Sequence, residues 1–335
     1  MFNFKKYIFI PLLVIILAVV TFFTGCKKND NQFIHLTGEA QGTTFSIKYG
    51  SINLIDYSRE IDSIFNVINL SMSTYHPNSI ISKINNGNES IELDSHFINV
   101  FNISSEIFHE TDGAFDPTVG ILVNAYGFGP NKLDQLETSD LTKLMQWVGF
   151  NKIHIENQKL VKDFSETSID FNAIAQGYTV DVIGDFLISK NIANFMIEVG
   201  GEVIAHGKNS EGKPWSIGIQ NPEKSNENSL EMVVYLENKS ICTSGNYRKF
   251  KIDKNGRKYA HTINPKTGLA EPSDILSATV ITAKPCAFAD AYATSMMVMG
   301  FTKTLEFMKS HPELEIFLVF VDEKGNTQTY STIKN

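Results

Sequence analysis

Apolar and polar positions change period several times along the chain, and each period predicts an element. Residues 44–49 alternate, with Phe45, Ile47 and Tyr49 on one side, as a half-buried strand does. Leu54, Tyr57, Ile61, Ile64, Phe65 and Ile68 recur at helical spacing and predict an amphipathic helix ending near Ser71. A loop begins at Ser73-Thr74-Tyr75-His76-Pro77, because the residue before a proline avoids the helical region. Phe97, Val100, Phe101, Ile107 and Phe108 predict a second helix, capped by Asp94 or Ser95 and closed by Gly113. Short strands around Ile153, Val161 and Ile169 lead into a third helix over residues 177–190, and strands follow at 194–199, 202–207, 215–220 and 231–236. A hairpin is expected over 248–261, turning at Asp253-Lys254-Asn255-Gly256. A strand at 277–282, a long helix, a helix at 303–309 and a strand at 315–321 complete the order. Such an order predicts an α+β fold, one compact unit over residues 37–335.

The long helix, residues 287–300, organises the rest. It is built almost wholly from small and apolar residues, so it has no face that favours water. Asp290 is out of place there, because a buried carboxylate needs a cation or donors. Thr294 follows four residues later, on the same face and about 6 Å away at Cβ. A carboxylate beside a hydroxyl in a dry helix suits a hard, oxygen-seeking cation such as Mg²⁺. The competing reading makes Asp290 a cap for a neighbouring backbone segment and has Thr294 bond back to its own helix.

The first residues read as a targeting segment. Lys5 and Lys6 precede a nearly unbroken apolar run over residues 7–23, and Phe23-Thr24-Gly25-Cys26 follows it. A small residue before a cysteine at that point resembles a bacterial lipobox, with Phe23 where Leu is usual. Residues 1–25 are therefore expected to be a signal peptide, Cys26 to be lipidated and residues 26–36 to be a tether, placing the domain outside the cytoplasm. An uncleaved anchor is disfavoured, since the run is short for a span and contains Pro11.

Composition narrows the partners. A hydrophobic fraction of 42% with 20% charged residues describes an ordinary globular protein. The formal charge is −8, and loss of Lys5 and Lys6 with the signal takes it to −10. No basic run stands out, so nucleic acid is excluded as a main partner. A phosphorylated ligand remains compatible, because a metal ion can supply local positive charge. With Cys26 lipidated, Cys242 and Cys286 are the remaining cysteines; no structural zinc spacing exists.

Four loops carry chemistry that a core does not require. One is Thr111-Asp112-Gly113-Ala114-Phe115-Asp116-Pro117-Thr118, also readable as plain turn chemistry. The next, Ile169-Asp170-Phe171-Asn172-Ala173-Ile174-Ala175-Gln176-Gly177-Tyr178, runs from a strand end into a helix start, where free amides favour phosphate. In Glu198-Val199-Gly200-Gly201-Glu202, paired glycines allow a ligand or backbone to approach, or simply turn a hairpin. The last joins Thr243-Ser244-Gly245-Asn246-Tyr247-Arg248 to His261-Thr262-Ile263-Asn264-Pro265-Lys266-Thr267-Gly268 across a hairpin.

These stretches in this order, together with Gly42-Thr43, Ser73-Thr74-Tyr75 and Ala289-Asp290-Ala291-Tyr292-Ala293-Thr294, resemble the ApbE family, the FAD:protein FMN transferases of the bacterial periplasm. The resemblance runs from Gly38 to about Val321. It implies a single compact, T-fold-like domain that binds FAD with Mg²⁺. Such a domain transfers the FMN half to a threonine hydroxyl of an acceptor protein, such as a subunit of a redox-driven ion pump, and releases AMP. Carried over by motif, the Mg²⁺ ligands are Asp290, Thr294 and carbonyls at Ala173 and Ala293. The FAD contacts are Gln41, Tyr75, Ala114, Phe115, Asp116, Asp170, Gln176 and Thr262. His261 and Asp290 are the catalytic candidates, His261 assisting proton transfer from the threonine. Gln41 and Gln176 depart from the family, which often has Met and Lys or Glu there. The address implied is a lipid anchor on the periplasmic face of the inner membrane. Two rival readings use the same residues: a FAD pyrophosphatase with water as acceptor, and a flavin-binding lipoprotein without catalysis.

Overall fold

A computed structural model describes residues 32–51, 53–88, 90–130, 138–220, 230–245, 250–252, 258–260, 262–270 and 273–334. Cys26, Asn246, Tyr247, Arg248, His261 and the expected 253–256 turn lie outside the described residues. Seven helices are present among them: α1 (Ser58–Met72), α2 (Ile80–Asn85), α3 (Ser95–Glu110), α4 (Gly120–Ala125), α5 (Thr138–Leu144), α6 (Ala175–Ser189) and α7 (Cys286–Phe307). The first seven strands are β1 (Gln32–Ala40), β2 (Thr43–Ser51), β3 (Ile153–Glu156), β4 (Lys159–Lys162), β5 (Phe195–Val199), β6 (Glu202–His206) and β7 (Trp215–Gln220). The remainder are β8 (Leu230–Leu236), β9 (Lys239–Gly245), β10 (Phe250–Ile252), β11 (Lys258–Ala260), β12 (Ile275–Thr282), β13 (Glu315–Val321) and β14 (Thr327–Ser331).

Eight strands form one sheet in the order β1-β2-β5-β6-β9-β12-β13-β14, and every neighbouring pair is antiparallel. Alternation along the strands sorts side chains between two cores. Phe195, Ile197 and Val199 of β5 face the helices, while Met196 packs on the opposite side. In β9, Cys242 joins the helix-side core and Ile241 the other. That second core is closed by the β7–β8 hairpin, whose Trp215, Ile219, Val234 and Leu236 meet Ile281 and Phe317 of the sheet. Such an antiparallel sheet, helix-covered on one face, is the α+β arrangement that the sequence order predicts.

Helix α1 turns Ile61, Phe65, Ile68 and Met72 to the core, as its spacing requires. Asp94 caps α3 by accepting the Phe97 amide at 2.8 Å, in agreement with the expected cap. Three features differ from the sequence reading. Residues 32–36, read as tether, pair with β2 as the first half of β1, an edge strand whose one-sided burial leaves a weak alternation. Ile169 is in no strand; its backbone is held at both ends by the Asn85 amide, at 2.8 Å each. The long helix bends at Gly300 (φ +75°) and continues to Phe307, so the expected 303–309 helix is its second arm. Cys242 and Cys286 are buried free thiols with their sulfurs 3.3 Å apart.

Helices α6 and α7 approach each other most closely at Gly177. A Cβ there would lie 2.7 Å from the Cys286 carbonyl oxygen and 2.9 Å from Ala287 Cα, both backbone atoms. Only glycine permits this approach. We therefore expect Gly177→Ala to lower stability by about 1–3 kcal/mol, the usual cost of overpacking. Urea unfolding measures it, and an unchanged midpoint would contradict the packing described.

Candidate active site

The start of α6 is where four distant segments converge. Asp290, buried on α7, accepts the Gly177 amide on Oδ2 at 3.1 Å. Thr294, one turn further, shares a 3.0 Å hydrogen bond with the Ser244 hydroxyl at the end of β9. Of the competing reading of this helix, half is met: Asp290 does cap a neighbouring segment, whereas Thr294 reaches across to the sheet instead of bonding back to its own helix. Ala293 is fully buried between them, and Ala173 lies in the turn leading into α6.

The β1–β2 and β5–β6 turns close over the same place. Gln41, at φ +52° in the first turn, donates from Nε2 to Thr179 Oγ1 of α6 at 2.8 Å. Its Oε1 is buried without a partner among the described residues. Gly200 (φ +69°) lies so close that a Cβ on it would be 2.8 Å from Gln176 Nε2 and 2.9 Å from Thr43 Cγ2. Gln41, Gln176 and the Gly200-Gly201 turn are therefore one cluster, although 160 positions separate Gln41 from Gly201.

A cleft of about 350 Å³ opens at Asp170, lined among others by Tyr75, Ser82, Asn85, Asn124 and Ser168. Tyr75 is 61% exposed and donates its hydroxyl to the Phe128 carbonyl at 3.0 Å. Asp170 folds over Asn172, accepting the backbone amide on Oδ1 at 2.7 Å and the side-chain amide on Oδ2 at 3.2 Å. Burial pushes the Asp170 carboxyl above its usual range, opposed by those two donors. Residues 170–177 link the two places, with Asp170 at the cleft and Gly177 against Asp290.

The Thr111 turn borders the cleft from the other side, since the Asp170 amide donates to the Pro117 carbonyl at 2.7 Å. Ala114 and Phe115 are buried in that turn. The Asp116 carboxylate is occupied by protein donors: Oδ1 accepts the Thr118 amide and hydroxyl at 2.8 and 2.6 Å, and Oδ2 accepts the Phe150 amide at 3.0 Å. It braces the turn. Lys266, 2.5 Å from Asp112, brings the loop carrying Thr262 against the same turn. Asn85 and Asn124 carry no local sign of being cleft residues, because each lies near the end of a short helix and only the tertiary fold places it.

Among the described residues no three His, Cys, Asp or Glu side chains converge as a metal cluster. Asp290 supplies a carboxylate, and one turn further Thr294 and Ser244 supply hydroxyls. Such an all-oxygen set fits Mg²⁺, which keeps several waters and commonly takes its remaining ligands from phosphate.

Comparison with known proteins places this geometry. The sequence pattern of the ApbE family matches residues 41–318. A protein of Haemophilus influenzae called FAD:protein FMN transferase is 35% identical over 326 residues, covering 93% of each chain. A protein of Escherichia coli K12 with the same name is 30% identical over 317 residues, covering 88% of this chain and 89% of that one. The solved flavin transferase ApbE of Vibrio cholerae superposes with a TM-score of 0.79 at 32% identity, covering 90% of this chain and 97% of that one. Fold and sequence agree, and the chain belongs to the ApbE family.

Proposed function

We propose that this chain is a Mg²⁺-dependent FAD:protein FMN transferase, acting on a threonine hydroxyl of an acceptor protein. The observation that carries the reading is the buried Asp290 carboxylate, held against the start of α6 with no ion pair among the described residues, in a chain whose relatives are called FAD:protein FMN transferases. The hydroxyl oxygen attacks the flavin-side phosphorus, the bond from that phosphorus to the bridging oxygen breaks, AMP leaves, and the threonine proton passes to a base. Positioning and charge neutralisation carry most of such a reaction. Bound Mg²⁺ would polarise the phosphoryl oxygens and orient the pyrophosphate. Asp290 and Thr294 would hold it, with the carbonyls of Ala173 and Ala293. Tyr75 offers a ring for the planar end of the dinucleotide, and His261 is the proposed acceptor of the threonine proton.

The test mixes the chain, FAD, Mg²⁺ and a candidate acceptor, then measures flavin fluorescence on the denatured acceptor together with AMP. FMN released equally without an acceptor would make the chain a pyrophosphatase. His261→Ala should retain FAD binding and lose transfer by about 10²–10⁴-fold. Tyr75→Ala should weaken FAD binding by about 1 kcal/mol and spare the saturated rate. Equal losses of binding and transfer in His261→Ala would make the residue a positioning contact.

Asp290 gives a second test that needs no turnover. Burial pushes its carboxyl up to about 7, opposed by the Gly177 amide. In metal-free protein the folded state therefore keeps a proton that the unfolded chain releases near pH 4, so stability falls as pH rises from about 4 through about 7. Asp290→Asn should flatten that fall while keeping an oxygen for Gly177, and should abolish Mg²⁺-dependent transfer. Melting temperature against pH in chelator reads the first effect; a slope matching the unsubstituted protein would contradict it.

The address is proposed on the N-terminal pattern: Cys26 carries lipid, and the domain faces the periplasm from a membrane anchor. Mass spectrometry of the mature N-terminus should find lipidated Cys26. Finding Met1 or an unmodified Cys26 would overturn it.

A further inference from the structure

Helix α7 begins without a cap of its own. Pro285 stands at its N-cap and offers no side-chain acceptor, yet the first amides of a helix need one. They find it on another helix. The Cys286 amide donates to Asp181 Oδ1 at 2.7 Å and the Ala287 amide to Asp181 Oδ2 at 2.9 Å. Asp181 lies four residues beyond Gly177, so the two share one face of α6. Helix α6 likewise has no side-chain cap at Ile174, and its Gly177 amide is taken by Asp290 of α7. Each helix thus caps the other through a carboxylate within its own first two turns.

We infer that Asp181 is a positioning residue for the transferase site, fixing the register of α7 so that Asp290 meets the start of α6; the catalytic part of this inference rests on the proposed function. The physical reason is helix geometry. A slip of one residue rotates a helix by about 100° and moves it about 1.5 Å. Asp290 sits four residues after Cys286, so a shift in the captured amides is passed to its carboxylate with little loss. Both oxygens of Asp181 are engaged, which fixes rotation as well as distance. Burial, with Asp185 and Asp290 as neighbouring acids, raises the Asp181 carboxyl to about 7, and the Ala287 and Cys286 amides oppose that rise. Asp181 acts through Asp290.

Hydrogen exchange in metal-free protein tests the linkage independently of catalysis. Asp181→Ala should speed exchange at Cys286 and Ala287, which lose their acceptor. It should also speed exchange at Gly177, whose acceptor is Asp290. Asp181→Asn, which keeps one acceptor oxygen and the shape, should give an intermediate result, and it serves if the alanine variant does not fold. A second arm titrates Mg²⁺ into the full chain with FAD present and reads the concentration for half-maximal transfer. Removal of a residue that orients a metal ligand raises that concentration by about 10–100-fold. Leu187→Ala, buried elsewhere on α6, controls for general destabilisation and should leave the Mg²⁺ requirement unchanged. If the unsubstituted chain transfers no flavin, the proposed function fails, and the Gly177 amide alone decides the positioning role. Asp181 variants with unchanged Gly177 exchange, or with a Mg²⁺ requirement equal to that of Leu187→Ala, overturn the inference.

Discussion

Two buried helices that cap one another set the constraint on which the rest of this structure depends. Backbone amides at a helix start are costly to leave unpaired in a dry interior. Neither α6 nor α7 carries a capping side chain of its own at that point. Asp181 and Asp290 therefore fix the two starts against each other, and the absence of a side chain at Gly177 allows the contact. With the pair fixed, the turns bearing Gln41 and Gly200 close on the start of α6, and Ser244 meets Thr294 from the sheet. The arrangement is specific because three hydrogen bonds and one backbone approach must be satisfied together.

The electrostatics follow from the same choice. Asp116, Asp170, Asp181 and Asp290 are each burdened by burial, and each is met by hydrogen-bond donors. The described ion pairs Lys239–Glu315, Lys266–Asp112 and Lys284–Glu110 involve none of the four. Amide donors soften the cost of a buried carboxylate but leave its charge uncancelled. A negatively charged dinucleotide meets an unfavourable field there unless a cation accompanies it. The Mg²⁺ proposed for this site is thus consistent with how these acids are solvated.

Much of this was legible before any coordinates. Helix α7 betrays itself by lacking a polar face, and Asp290 stands out because nothing around it is polar. The Asp94 cap and the strands β7 and β13 were readable from local chemistry and alternation. What escaped was set by partners distant in sequence. Strand β1 is an edge, so its outer residues face water and its period is faint. Asp181 stands between Val180 and Val182 with no local sign of its partners, because the amides it accepts are 105 and 106 positions away. Asn85 gives no local hint that its amide clasps Ile169. Asp116 was read as facing a ligand, whereas its oxygens are occupied by Thr118 and Phe150, the latter a contact no pattern announces.

The eight-stranded order has one further consequence, for how the site comes into being. Its parts come from residue 41, residues 170–177, residue 200, residue 244 and residues 290–294, so 253 of the chain's 335 positions separate the first from the last. Contacts of such range form only after long loops have closed, which makes folding slow relative to helical proteins of similar size. Helix α7 follows β12 in the chain, so a nascent polypeptide lacking its last fifty residues has no Asp290 to offer and no partner for the start of α6. A chain truncated there has the cleft-side residues but leaves the start of α6 without its acceptor.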